Sequence, residues 1–104
     1  PSVRTVLIRV VGPGLAAFGV SGALVDPQLT LFRGDTRVAL NDDWNRDSGA
    51  SAAAFAQIGA FPLAAGSKDA ALLLNLSPGG YTVHASAQPG ATGVALIEIY
   101  DVDL

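Results

Sequence analysis

The chain has no cysteine, no methionine, a single histidine and a single tryptophan, and only 14% of its 104 residues are charged. Without cysteine there is no disulfide scaffold, no cysteine-ligated zinc or iron–sulfur centre and no thiol nucleophile. Six basic residues against nine acidic ones, a net charge of −3, supply no cationic patch and argue against a nucleic-acid partner. Long apolar runs are missing too. Residues 70–97 carry no formal charge with His84 neutral, but Ser77-Pro78-Gly79-Gly80 and Gln88-Pro89-Gly90 cut them into pieces too short to span a bilayer. The sequence opens on Pro1 with no basic-then-apolar leader, which reads as a processed product or an excised fragment whose export signal is out of view.

The missing charge is replaced by small residues, 18 alanines and 12 glycines. An ordinary globular domain carries about 25% charged residues. Two accounts fit the deficit. One is a surface of small apolar side chains that meets another such surface. The other is a codon bias toward Ala, Gly and Val.

At this length residues 1–104 read as one domain. Residues 3–11 are rich in β-branched side chains and end at Gly12-Pro13-Gly14, which predicts a strand. Residues 15–25 form a glycine-punctuated loop with room for one helical turn. Strands follow at 28–33, with Leu29 and Leu31 inward, and at 36–41, with Val38 and Leu40 inward. The Gly34-Asp35 turn joins them as a hairpin. Ser48 is placed to cap a short helix from residue 49 or 50 to 58, with Phe55 and Ile58 on one face and Phe61 following toward the core. Strands at 70–76, 80–87 and 93–100, separated by Pro-Gly turns, complete an all-β reading. The expected fold is an antiparallel, jelly-roll-like β-sandwich with one short helix.

Enzyme templates find little purchase. A histidine-based triad would have to use His84, which shares the polar strand face of Thr82 and Ser86 and reads as solvated. Glu98, between Ile97 and Ile99, is expected to pair with Arg9 or Arg4 from another strand. Gly12-Pro13-Gly14 lacks the Lys-Ser/Thr and the long helix of a phosphate loop. The expectation is a non-enzyme. Asn75-Leu76-Ser77 is a nominal glycosylation sequence, discounted because Pro78 follows and Asn75 lies in a strand.

The densest local signal is Asn41, Asp42 and Asp43 with Asp47 four residues on. Calcium takes six to eight hard oxygen ligands, and this loop offers several without matching the EF-hand spacing. These four residues are the candidate metal ligands, and the bland alternative is an acidic turn. Trp44 beside them is the candidate ligand-binding residue, since a flat indole suits a sugar ring; the alternative is a loop anchored on the core. Arg33-Gly34-Asp35, the integrin-binding tripeptide, sits at a predicted hairpin tip and is the candidate adhesion motif, although glycine and aspartate are ordinary turn residues.

Four stretches carry a family resemblance. They are Arg4-Thr5-Val6-Leu7-Ile8-Arg9-Val10-Val11-Gly12-Pro13-Gly14-Leu15; Asp26-Pro27-Gln28-Leu29-Thr30-Leu31-Phe32 with Leu40-Asn41-Asp42-Asp43-Trp44; Asp69-Ala70-Ala71-Leu72 with Leu76-Ser77-Pro78-Gly79-Gly80-Tyr81-Thr82-Val83; and residues 90–101. Together they resemble a β-sandwich module of large secreted or surface proteins of Verrucomicrobia-type bacteria. The middle portion is also similar to the bacterial pre-peptidase C-terminal domain, some relatives of which bind calcium or a polymeric substrate. Both resemblances imply export, to the extracellular space or the cell surface, and neither implies a catalytic residue. Members of the first group carry further strand-forming sequence upstream of the first strand found here. A sandwich without it is expected to show an open edge that a neighbouring chain can fill by strand addition. The expected function is therefore a non-catalytic structural or adhesive module whose partner is another copy of itself, in an oligomer or a fibre. The alternative is a calcium-dependent carbohydrate- or polymer-binding module of a secreted protein, with a polysaccharide or a surface protein as its partner.

Overall fold

The fold is built around β1 (Arg4–Val11), in a computed structural model that describes residues 3–102. β1 pairs antiparallel with β4 (Ala70–Leu76) on one side and β6 (Leu96–Asp101) on the other, giving a three-stranded sheet in the order β4-β1-β6. A second antiparallel sheet has the order β3-β2-β5, from β2 (Gln28–Arg33), β3 (Thr36–Asn41) and β5 (Tyr81–Ser86). The two sheets form the expected all-β sandwich. They approach along β3 and β4, β2 and β4, and β2 and β1.

β1 is apolar on both faces because both are covered. Ile8 and Val10 point between the sheets, against Leu29, Leu31, Ala70 and Leu72. Leu7 and Val11 point the other way, into a second cluster with Leu15, Trp44, Phe55, Ala60, Leu63 and Ala71. That outer layer comes from α1 (Ala52–Ile58) and the loops around it. Arg9 shares this outer face and is fully buried. Its guanidinium donates to Glu98 Oε1 at 2.6 and 2.8 Å and to the Phe61 carbonyl at 2.7 Å, and it lies over the Phe55 and Phe61 rings. The carboxylate, the carbonyl and the two rings offset the cost of taking this cation out of water, which an isolated one would bear in full. Of the two partners expected for Glu98, Arg9 is the one found, while Arg4 pairs with Asp101.

The β2–β3 hairpin departs from the sequence expectation in an instructive way. Arg33 faces Thr36 and Phe32 faces Arg37, but Leu31 faces Ala39, because β3 carries one extra residue. This bulge moves every later residue of β3 to the opposite face. Val38 and Leu40 are consequently exposed instead of inward, and Asn41 becomes buried opposite Leu29.

The loop after β3 lies along the outer edge of β4. Asn41 Oδ1 accepts from Ala71 N at 3.0 Å, and Ser48 O accepts from Leu73 N at 2.8 Å. Trp44 N donates to Asp69 O at 2.8 Å. Three edge groups that would otherwise be orphaned are thus paired. Gly49 passes so close to β4 that a Cβ there would stand 2.5 Å from Leu73 O, at a φ of 72° that favours glycine. Ser48 is spent on this loop, its Oγ donating to Trp44 O and accepting from Ala50 N. The helix is capped three residues later by Ser51, whose Oγ accepts from Ala54 N at 3.1 Å, so α1 starts at Ala52.

Replacing Asn41 by alanine should therefore leave the Ala71 N–H buried without an acceptor. The expected loss is about 1–3 kcal/mol. That corresponds to a fall in Tm of roughly 4–8 °C per kcal/mol for a domain of this size, read by thermal unfolding under circular dichroism.

Candidate functional site

The acidic signal of the sequence resolves into a different set of residues. One carboxylate oxygen each from Asp26, Asp42 and Asp43 lie within 4.8 Å of one another, and all three residues are half-buried. Asp26 comes from the turn before β2, while Asp42 and Asp43 follow β3. The hairpin brings them together: with Leu29 opposite Asn41, the residues just before β2 flank those just after β3. Asp26 was absent from the sequence-derived set, although folding the chain about the Gly34-Asp35 turn points to it.

Asn41 leaves the candidate set. Its Oδ1 is engaged by Ala71 N and its Nδ2 donates to Arg46 O at 2.7 Å, so its carboxamide holds the edge of β4. Asp47 stands beside the cluster. It lines a shallow hollow of about 210 Å³ with Asp42, Asp43 and Arg46, but its carboxylate is outside the cluster of three. Its backbone is in the left-handed region, φ 54°, where the chain turns toward Ser48.

Trp44 is corrected from surface ligand site to core anchor. It is 2% exposed, its ring centroid is 5.1 Å from that of Phe55, and its Nε1–H donates to Ala64 O and Ser67 Oγ, both at 3.1 Å. The indole fills the space beneath the 60–69 segment and leaves no face for a sugar ring. Asp69, also fully buried, binds the same region together: its Oδ1 accepts from Gly12 N at 2.8 Å and Gly14 N at 3.0 Å, and its Oδ2 from Ser67 Oγ at 2.7 Å. Arg33, Gly34 and Asp35 are exposed at the β2–β3 turn. Arg33 is drawn back to β5, donating to Pro78 O at 2.9 Å and lying 5.7 Å over the Tyr81 ring. His84 is exposed on the outer face of the second sheet, against the Phe32 ring.

The surroundings of Asp42 disfavour its charged form. Burial, with the Asp26 carboxylate at hydrogen-bonding distance and the charges of Asp26 and Asp43, raises the Asp42 carboxyl above its ordinary 3.8, and Lys68 offsets this only in part. Asp26 Oδ1 and Asp42 Oδ1 are buried oxygens that meet no donor among the described residues. Like carboxylates in one site ionise together only with difficulty. A shared proton relieves them, as does a hard divalent cation. Their donor chemistry suits calcium, with carbonyls and water completing the shell.

Elsewhere, a hollow of about 470 Å³ lies between α1 and the first sheet, lined by Thr5, Ala54, Gln57, Ile58, Leu73, Asp101 and Val102. Among the described residues no helix is long and apolar enough to cross a membrane.

The raised Asp42 carboxyl fixes the sign of a pH effect. The folded chain holds that proton more tightly than the unfolded chain, so its contribution to stability improves as pH falls from neutral toward 3.8. Asp42→Asn should raise Tm at pH 7 in EDTA and flatten the dependence of Tm on pH across that window, measured by calorimetry. Comparison of the chain with protein-family models, with curated proteins and with solved structures finds no match, so the family resemblance rests on the sequence stretches alone.

Proposed function

We propose that this chain is a non-catalytic structural or adhesive module, extracellular or displayed at a cell surface, that associates with copies of itself by strand addition. One observation carries the reading. Ile97 and Ile99 of β6 lie opposite Val10 and Ile8 of β1, and so share the face between the sheets. Val10 and Ile8 are at most 2% exposed, whereas Ile97 is 45% and Ile99 62% exposed. The second sheet stops short of covering them. Two isoleucines on an inter-sheet face cost little in water only if something else covers them.

A second reading, a calcium-dependent module, draws on the orphaned oxygens of Asp26 and Asp42. Calcium there would tie the start of β2 to the end of β3 and stiffen the loop that holds β4. The polymer-stacking role once open to Trp44 has no part in it.

Light scattering of the whole chain, with calcium and with EDTA, tests both. The expected result is a mass above the monomer in both conditions at high concentration, and a monomer for Ile99→Lys with its circular dichroism unchanged. A wild-type chain that stays monomeric at millimolar concentration overturns self-association. For the second reading, calcium at 100 times its Kd should stabilise by about 2.7 kcal/mol. A thermal midpoint at pH 7 that calcium does not move overturns that reading.

A further inference from the structure

We draw no further inference here: the strongest candidate, the hollow between α1 and the first sheet, has its Thr5 and Asp101 side chains engaged with Asn75 and Arg4, and nothing in the structure shows what covers its apolar wall.

Discussion

One extra residue in β3 determines how half of the molecule is held. The bulge at Val38 turns Asn41 inward, and Asn41 then reaches across to Ala71 on the edge of β4. From that anchor the chain continues along the same edge through Trp44 to Ser48, closing it with backbone and side-chain hydrogen bonds. Trp44 is carried into the core by this route, and with it the contact to Phe55 that seats α1 on the sheet. The same turn delivers Asp42 and Asp43 beside Asp26. A β3 without the bulge would bury Val38 and Leu40 and leave Asn41 in water.

The first sheet is consequently covered on both faces at its centre and uncovered at one side. At β1, the second sheet lies on one face and the α1 layer on the other, and even a charged residue, Arg9, is enclosed between aromatic rings. At β6 the outer face is covered from Glu98 to Tyr100, though not at Leu96: Glu98 is engaged with Arg9, and the Tyr100 hydroxyl donates to Glu98 at 2.6 Å. The hydrogen bond to Glu98, with burial and the carboxylate charge, raises the Tyr100 phenol above its ordinary value. The inner face of β6 lacks such company. Asymmetry between two faces of one strand, more than total apolar area, singles out this side of the protein.

Strand positions were legible from the sequence because turn chemistry marks their ends. Gly12-Pro13-Gly14, Gly34-Asp35 and Ser77-Pro78-Gly79-Gly80 all lie between strands. The inward pair Leu29 and Leu31 follows from alternation, and charge narrows the partner of Glu98 to Arg9 or Arg4, of which the structure selects Arg9. The face of β3 did not follow, because a bulge has no signature in a six-residue run, and a slip of one position reverses inside and outside. Trp44 and Ser48 were misplaced for a related reason. Their roles depend on the loop crossing to β4, a contact between distant parts of the chain that local spacing does not encode. Asp26 belonged to the acidic cluster only once the hairpin register was known.

The pairing of β1 with β6 has a mechanical side. Arg4 and Asp101 sit at the same end of that antiparallel pair, and Val102 N donates to Thr5 O just beside them at 2.9 Å. A pulling force applied between these two points would load the ladder from one end. Its hydrogen bonds would part in succession, like a zip, instead of sharing the load in shear. Under tension the first strand to separate would be β6, and the Arg9 guanidinium would lose its counter-charge as the opening reached Glu98.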